Sequence, residues 1–386
     1  MKTAIVYDRV NKWGGAERVL LALHEMFPDA PLYTSVYNQN KAGWVNVFPK
    51  VVTSFLQDLP ILRNYHELLG WLTPLAYESF NFDEYDLVIS VTSEAAKGII
   101  TKPKTKHICY CLTPTRYLWS GYKEYLENPP RALSWIPFYK YVSQPFLRYA
   151  KVWDKIAAQR PDVYVAISSA VKDRITNYYG RVSQVVYPPV EIEKFVNKYP
   201  DVPASTKSDI DYDVISGKEK YYLIVSRLVP YKKVDLAVEV FNELGLPLIV
   251  VGTGSEESKL KSISRKNISF AGFVPDDELM EYYKNAKALI MPQEEDFGLV
   301  AVEAQAAGVA VIAYKKGGAL DTAVEGRTGL FFSKQSTKSL IDAVKRFSKI
   351  KFNKKVIMKN AEKFSKRRFK KEFRGLVEKH MSSHLQ

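Results

Sequence analysis

The sequence predicts an α/β protein whose strands form parallel sheets. Short apolar runs alternate with helical patterns along nearly all of its 386 residues. The runs are apolar on both faces, which is typical of parallel strands covered by helices on both sides. The chain is also too long for one ordinary domain and has about the length of two. We therefore expect two Rossmann-like domains, each with a parallel sheet between layers of helices.

The N-terminal domain is expected to span residues 1–195. Its buried strands are predicted from apolar runs of four to six residues. They lie at 4–7, 87–91, 107–111 and 163–167. Apolar residues at helical spacing follow at 16–26 and 170–179. This alternation of strand and helix predicts crossover connections between parallel strands.

The pattern stops between residues 188 and 220, which are polar, contain proline and hold few apolar residues. Such a stretch is typical of a domain boundary. The second domain is expected at 196–364. Its predicted strands lie at 222–226, 248–251, 288–291 and 309–313, with helices at 234–244 and 277–285. In the last segment, 365–386, the apolar stripe changes face near Ser365, which predicts a kinked helix that returns to the first domain.

Charge is unevenly distributed along the chain. The net charge is +14, and residues 342–379 hold 15 Lys and Arg against 4 Asp and Glu, so this segment carries +11 and the remainder +3. A basic segment is either a solvated helix face or a surface for a polyanion, such as an anionic membrane, a phosphorylated substrate or nucleic acid. Because no nucleic-acid-binding module is recognisable, we expect no nucleic acid partner.

The expected location is the cytosol. Cys109 and Cys111 are the only cysteines, and two residues that alternate along one strand fit a disulfide poorly. The first residues read as a core strand and not as a signal peptide. No run of about 18 apolar residues could span a bilayer. Any membrane contact is therefore expected to be peripheral, on the inner face, through the basic C-terminal segment.

A glycine pair follows the first predicted strand. Gly14 and Gly15 stand in the run Trp-Gly-Gly-Ala-Glu-Arg and precede a predicted helix. Glycines there let a ligand approach the backbone, and helix N-terminal amides favour phosphate, although a tight turn would also use two glycines. The sequence lacks a P-loop motif and histidines at metal-binding spacing. An acidic alternation at Asp209, Asp211 and Asp213 leaves a metal–diphosphate role open.

A basic turn follows the strand at 222–226. Arg227 and Lys232 stand at its carboxyl end, which is where open α/β sheets bind ligands. A guanidinium fork and an ammonium group are suited to clamp a diphosphate. The alternative is a solvated basic turn.

The loop and helix after the strand at 288–291 form the most informative motif. Glu295 lies in the loop, a helix is predicted to begin near Phe297 or Gly298, and Glu303 lies inside that helix. Free amides at the helix start favour phosphate, and carboxylates accept hydrogen bonds from sugar hydroxyls. The alternative is that the loop acids only complement the helix dipole.

These motifs together resemble family 4 retaining glycosyltransferases of the GT-B fold. The run from Glu295 to Glu303 is similar to the E-x7-E signature, and the segment from Arg227 to Lys232 is similar to the R-x4-K segment. GGAERV, VGTGSE, GFVPDDELMEYYKNA and GVAVIAYKKGGALDTAVEGRTGLFF follow the order expected for the family. CLTPTRYLW and YPPVEIEKF resemble the branch that contains bacterial O-antigen and capsule mannosyltransferases.

The resemblance implies two domains that face each other across a nucleotide-sugar cleft. Arg227, Lys232 and Glu295 would be catalytic: the cations bind the diphosphate, and the carboxylate holds donor-sugar hydroxyls. Glu303 would bind the ribose. The remaining donor contacts would come from Gly14, Gly15, Gly252, Gly254, Phe273, Val274, Phe297, Gly298, Leu299 and Val300. No metal and no other cofactor is expected, because protein cations and helix amides would carry the charge.

The function implied is transfer of a hexose, with mannose from GDP-mannose as the first choice, to a glycan or lipid-linked saccharide. Residues 116–153 are rich in aromatics and lie in the half where this family binds acceptors. Arg116, Tyr117 and Trp119 are the candidate acceptor contacts, although core packing also uses such side chains.

Two positions depart from the family pattern. Leu112 stands where related sequences often have histidine, and Asp321 stands where glutamate is usual. Nucleotide binding is still expected, but the donor sugar and turnover are open. The alternatives are a sugar-nucleotide epimerase or phosphorylase of the same fold, and a protein that binds sugar nucleotides without transfer.

Overall fold

The computed structural model describes residues 1–59, 72–129, 133, 136–196 and 220–382, with only the backbone of 195 and 196. The chain divides into two compact units. Unit 1 comprises Met1–Pro189 and Phe369–Gln386, and unit 2 comprises Val190–Arg368. Much of the expected boundary region, including Asp209, Asp211 and Asp213, lies outside the described residues.

Unit 1 is built on a parallel sheet that has seven strands within the described residues, in the order β3-β2-β1-β4-β5-β6-β7. The strands are β1 Thr3–Tyr7, β2 Leu32–Thr34, β3 Val51–Thr53, β4 Leu87–Thr92, β5 Lys106–Cys111, β6 Val163–Ala166 and β7 Ser183–Val185. The predicted strands are confirmed as β1, β4, β5 and β6. The other strands are three residues long, too short to give an alternating pattern.

Helices and 3₁₀ turns connect these strands. The helices are α1 Gly15–His24, α2 Thr73–Glu78, α3 Tyr122–Glu127, α4 Tyr139–Val142, α5 Gln144–Ala157 and α6 Ser169–Tyr179. The 3₁₀ turns are Gly43–Val47, Phe55–Asp58, Ala96–Gly98 and Arg116–Leu118. The side chain of Ser168 caps α6 by accepting from the amide of Val171 at 3.1 Å.

Unit 2 contains a second parallel sheet, with six strands among the described residues, in the order β10-β9-β8-β11-β12-β13. The strands are β8 Tyr222–Val225, β9 Leu248–Val251, β10 Ile268–Gly272, β11 Ala288–Met291, β12 Val311–Tyr314 and β13 Gly329–Phe332. Four of them confirm the predicted strands. The edge strands β10 and β13 were not among those predicted; in β10 only the first residue is buried.

The helices of unit 2 lie on both faces of this sheet. They are α7 Glu193–Val196, α8 Val234–Leu244, α9 Glu257–Ile263, α10 Asp276–Asn285, α11 Leu299–Ala306, α12 Ala319–Thr322, α13 Thr337–Phe347 and α14 Lys354–Ala361. Along β8, Tyr222 and Ile224 pack into one hydrophobic cluster, while Leu223 and the preceding Tyr221 pack into the other. The sheet is therefore buried on both faces, as its continuous apolar strands predict.

The C-terminal helical segment breaks where its apolar stripe changes face. Helix α14 and the turn Glu362–Phe364 end at Ser365, whose backbone is extended, and α15 Lys366–Ser382 follows. Upstream of the break, Phe364 packs against Phe297 in unit 2, with ring centroids 5.5 Å apart. Downstream, Phe369 packs against Tyr110 in unit 1, at 5.8 Å. The predicted change of buried face near Ser365 is confirmed.

Each sheet reverses its strand order at one place among the described strands. This switch point lies between β1 and β4 in unit 1 and between β8 and β11 in unit 2. Parallel sheets bind ligands beyond the carboxyl ends of the strands at such a point, because the connecting loops diverge there and leave a crevice. No helix among the described residues is long and apolar enough to cross a bilayer.

Candidate functional site

The predicted catalytic residues of unit 2 follow the two strands at its switch point. Arg227 and Lys232 come after β8, and Glu295 comes after β11. Lys232 Nζ donates to Glu295 Oε1, so the two loops are in direct contact. Both side chains are largely buried, at 13% and 18% exposure. Gln293 Nε2 also donates to Glu295 Oε1, at 2.8 Å, which fixes the orientation of the carboxylate.

Tyr231 links the two cations, although a tyrosine in a basic turn gives no sequence signal for such a role. Arg227 Nη2 donates to the Tyr231 hydroxyl at 2.6 Å, and Lys232 Nζ lies 5.3 Å from the centre of the same ring. Lys233 then adopts a left-handed backbone conformation, with φ of 54°, before α8 begins. Positive φ at a residue other than glycine is uncommon, so the turn that carries Lys232 has a defined and mildly strained shape.

Helix α11 begins directly after the acidic loop. Gly298 caps it with φ of 89°, a conformation that favours glycine, and Leu299 and Val300 form its first turn. Amides in a first turn have no acceptor within the helix, which suits an anion. The side chain of Phe297 is buried against Phe364, so only its backbone is available to a ligand.

A second glycine pair, Gly317 and Gly318, supports this loop. The amide of Gly318 donates to the carbonyl oxygen of Glu295 at 2.8 Å. A β-carbon on Gly317 would lie 2.2 Å from that oxygen, and one on Gly318 would lie 2.3 Å from the α-carbon of Phe297. Only glycine permits this approach. The pair lies in the loop that follows β12, two residues after the strand ends, and Asp321 lies in the short helix α12 after it.

Gly252 and Gly254 pack against the loop after β8. A β-carbon on Gly252 would lie 1.9 Å from the carbonyl oxygen of Ser226, and one on Gly254 would lie 2.2 Å from that of Leu228. Leu228 in turn donates its amide to Thr253 at 2.9 Å. The close approach at these two glycines fixes the position of the loop that carries Arg227. This is a structural role, separate from their predicted contact with a donor.

The other predicted donor contacts differ in exposure. Glu303 is 4% exposed, and its carboxylate accepts a hydrogen bond from the Tyr283 hydroxyl at 2.9 Å. Val274 is buried in the core beside Tyr283, whereas Phe273 is 79% exposed. Of these two predicted donor contacts, Phe273 is therefore the one whose ring is exposed to a ligand.

In unit 1, Gly14 and Gly15 occupy the start of α1, after β1. Gly14 is the N-terminal cap in an extended conformation, and Gly15 begins the helix. Glu17, two residues further along the same run, is buried and accepts a hydrogen bond from the Tyr7 hydroxyl at 2.7 Å. The first turn of this helix is therefore tied to the last residue of the strand.

Charged residues also meet at the switch point of unit 1. The carboxylate of Asp8 accepts from the hydroxyl of Thr92 at 2.8 Å and from the amide of Ser93 at 2.6 Å. Burial raises the pKa of Asp8, and the charge of Glu94 adds to this, while the hydrogen bonds oppose it. Arg9 is paired with Glu94 at 2.5 Å. These contacts fasten the carboxyl ends of β1 and β4 together.

Trp119, one of the predicted acceptor contacts, is held by a hydrogen bond and by a stacked ring. Its indole N–H donates to Asp154 Oδ2 at 2.7 Å, and its ring stacks on Tyr178 with centroids 5.0 Å apart. Asp154 Oδ1 also accepts from Lys97 Nζ at 2.6 Å and from the Thr115 hydroxyl at 2.7 Å. A buried ion pair therefore anchors the loop that carries Trp119.

Arg116 and Tyr117 belong to the 3₁₀ turn before Trp119 and are partly buried. The Tyr117 ring lies 5.2 Å from that of Tyr125. Burial raises the pKa of the Tyr117 hydroxyl, and the charge of Glu94 raises it further, so this phenol stays protonated.

His107 cannot take the place of the histidine that Leu112 replaces. His107 lies near the start of β5 and Leu112 follows its end, so about five strand residues, or about 16 Å, separate them. The ring of His107 is buried and bonded to Ser90 Oγ at 2.8 Å. Burial lowers the pKa of His107 to about 3, which makes it a neutral core residue.

The geometry of unit 2 therefore offers two cations, an oriented carboxylate and a helix start at one crevice. Cations and helix amides bind the phosphates of a nucleotide, and an oriented carboxylate binds hydroxyl donors. Unit 1 offers a glycine-capped helix start and an anchored aromatic loop. The predicted residues of units 1 and 2 thus form two separate groups, each at the carboxyl ends of its own sheet.

Comparisons with known proteins agree with these features. Residues 207–367 match the family model described as glycosyl transferases group 1. A GDP-mannose-dependent alpha-(1-6)-phosphatidylinositol monomannoside mannosyltransferase of Mycobacterium tuberculosis is 30% identical over 203 residues, which are 47% of this chain and 51% of that protein. The chain thus spans about half the length of this curated relative.

Solved structures show the same fold over nearly the whole chain. HepE from Anabaena in complex with UDP is 18% identical, covers 98% of this chain and all of its own, and gives a TM-score of 0.67. Sucrose-phosphate synthase from Thermosynechococcus elongatus is 15% identical, covers 99% of this chain and all of its own, and gives 0.70. The predicted GT-B fold is confirmed, and residues 207–367 are similar to the glycosyl transferases group 1 family.

Proposed function

We propose that this chain, whose residues 207–367 match the glycosyl transferases group 1 family, is a retaining hexosyltransferase that needs no metal. Its donor would be a nucleoside-diphosphate sugar and its acceptor a glycan or a lipid-linked saccharide. The observation that carries the proposal is the contact of Lys232 with Glu295 at the switch point of unit 2, with Arg227 held beside them by Tyr231.

Charge stabilisation is the main catalytic contribution in this proposal. As the bond between the sugar and the diphosphate breaks, negative charge grows on the leaving phosphate. Arg227 and Lys232 neutralise it, and loss of one such contact typically costs about 3–4 kcal/mol of transition-state stabilisation. The first-turn amides of α11 add a partial positive charge. Glu295, oriented by Lys232 and Gln293, accepts hydrogen bonds from sugar hydroxyls.

GDP-mannose is the first donor to test, because the mycobacterial relative is named for it. UDP-glucose is the second, because HepE has also been solved in complex with that sugar nucleotide. Thermal unfolding with GDP-, UDP- and ADP-sugars would rank them, since a ligand at 100 times its Kd stabilises by about 2.7 kcal/mol. No stabilisation by any sugar nucleotide would refute the proposal.

Two variants test the catalytic roles. Lys232→Ala and Glu295→Ala should each lower kcat for sugar transfer by about 100- to 1,000-fold. The matched controls are Lys284→Ala and Glu281→Ala, which break an exposed pair of 2.7 Å in the same unit and should change the rate less than twofold. Equal effects on the two pairs would contradict the assignment. Analysis of the products formed from the donor also distinguishes transfer from epimerisation, because only transfer attaches the sugar to an acceptor.

Leu112 favours a second candidate, a protein that binds sugar nucleotides without transferring the sugar. It is an aliphatic residue at the carboxyl end of β5, where a residue that acts on the donor sugar would be polar. If the wild type binds a donor but transfers nothing to a panel of glycans, and Leu112→His gains transfer, this second candidate is supported. Transfer by the wild type refutes it.

A further inference from the structure

An exposed apolar stripe runs along the helical segment formed by α4 and α5 in unit 1. Its members recur every three or four residues and are between 49% and 61% exposed. They are Val142, Phe146, Tyr149, Val152 and Ile156. Phe138 and Tyr141 precede them and are exposed still further. Single exposed apolar residues are ordinary, but a row on one helix face indicates an interaction surface.

The other side of the same helix is firmly packed, so the stripe is not a product of fraying. Leu147 and Ala157 are buried. Trp153 donates its indole N–H to Glu78 at 2.8 Å, and Asp154 pairs with Lys97 at 2.6 Å. The helix therefore presents its apolar stripe outward from a fixed position.

Positive charge borders the stripe. Arg148, Lys151 and Lys155 form a row three and four residues apart, and Lys140 lies in α4. Asp154 is the only acidic residue between 138 and 157, and it is buried in its ion pair. The outward surface of this segment is therefore apolar and cationic without a compensating acid. A helix of this kind binds in the plane of an anionic lipid surface.

We propose that residues 138–156, here called the stripe helix, bind an anionic membrane surface, with the aromatic and aliphatic side chains between the lipid headgroups. Helix α15 is less suited, although it carries more charge. It buries Phe369, Phe373, Leu376 and Val377, and none of its large apolar side chains among the described residues is exposed. Basic side chains alone give only salt-sensitive adsorption, whereas apolar insertion adds binding that salt does not screen.

The stripe helix also contacts the predicted acceptor loop. Lys151 Nζ lies 4.6 Å from the centre of the Trp119 ring, and Lys155 Nζ lies 5.8 Å from it. A membrane bound at the stripe would therefore lie near the loop that carries Trp119. Membrane binding does not depend on the proposed sugar transfer, and vesicles test it without any donor or acceptor.

The experiment compares sedimentation of the full chain with two kinds of vesicle, equimolar phosphatidylglycerol and phosphatidylcholine, and phosphatidylcholine alone. The test variant is Phe146→Ser/Tyr149→Ser/Val152→Ser. Ile100→Ser/Val182→Ser is the matched control, because these exposed apolar residues of unit 1, at 53% and 87%, lie outside the stripe. Lys371→Ser/Arg374→Ser/Lys379→Ser removes exposed charge from α15.

We expect the wild type to prefer the anionic vesicles and the stripe variant to lose about 100-fold in partition constant. The control should change less than twofold, and the α15 variant should lose less than the stripe variant. Unchanged binding by the stripe variant would overturn the proposal. A second result would also overturn it: the wild type is a dimer, the stripe substitutions dissociate that dimer, and vesicle binding stays the same. In that case a second copy of the chain covers the stripe.

Discussion

Asp154 provides the sharpest test of how unit 1 holds its predicted acceptor loop. Its carboxylate accepts three hydrogen bonds, from Lys97, Thr115 and the indole of Trp119. Lys97 and Asp154 are 2% and 1% exposed. Burial alone would lower the pKa of Lys97, but the charge of Asp154 outweighs it and raises the pKa, so the ammonium stays charged. Asp154→Ala therefore leaves a buried positive charge without its counterion.

The size of the effect follows from this burial. Breaking a buried ion pair by removing one partner costs about 3–5 kcal/mol, because water does not replace the lost carboxylate. Unit 1 contains a matched control at its surface. Lys102 and Asp83 are also 2.6 Å apart, but they are 56% and 47% exposed. Asp83→Ala should cost about 0–1 kcal/mol, since solvent screens the pair.

The assay is urea unfolding of both variants and the wild type, followed by circular dichroism. We expect a much lower midpoint for Asp154→Ala than for Asp83→Ala, with a changed near-ultraviolet spectrum because Trp119 loses its acceptor. Lys97→Met/Asp154→Asn removes both charges and should recover most of the lost stability. Equal midpoints for the two single variants, or a double variant less stable than Asp154→Ala, would refute the reasoning.

Three further outcomes are expected. Gly254→Ala should lower stability by about 2 kcal/mol or more in urea unfolding, because its β-carbon would meet backbone, whereas Gly245→Ala, with φ of 65° in open space, should lower it by about 1 kcal/mol. His107 has a pKa of about 3 in the folded state against 6.5 ordinarily, so its stabilisation is complete above pH 6.5 and declines as the pH falls toward 3. The loss should reach about 2 kcal/mol by about pH 5, and the slope should flatten in His107→Gln. Tyr231→Phe releases Arg227 and should lower kcat/KM about tenfold without changing the melting temperature; an unchanged kcat/KM would show that this hydrogen bond does not position Arg227.

Sequence patterns predict the elements of this fold best where strands are buried on both faces. The runs at 87–91, 222–226 and 288–291 become central strands, because their continuous apolar residues have no other stable arrangement than a covered parallel sheet. Edge strands have fewer continuous apolar residues, so the sequence predicts them less well. Among the described strands, the strand at 51–53 pairs on one side only, and it has no fully buried residue, so its three residues do not stand out in the sequence.

The contact between Lys232 and Glu295 depends on strand order, which periodicity does not encode. Their strands are separated in the chain by β9 and β10, yet β8 and β11 are neighbours in the sheet. The chemistry of their side chains therefore identifies Lys232 and Glu295 as candidates from the sequence. Their contact, in contrast, follows only from the strand order of the folded sheet. The role of Tyr231 could not be predicted from the sequence. A tyrosine in a turn has no distinctive pattern, and its contacts with Arg227 and Lys232 exist only in the folded turn.

The sharing of unit 1 between two distant parts of the chain has a consequence for biosynthesis. A ribosome releases residues 1–189 before unit 2, and it releases the segment that packs Phe369 and Phe373 against Tyr110 after unit 2. While unit 2 is being translated, the part of the unit 1 core that α15 covers therefore stays exposed. Chaperones that recognise exposed aromatic surface would find it on unit 1 throughout that interval, until α15 packs against Tyr110 and covers it.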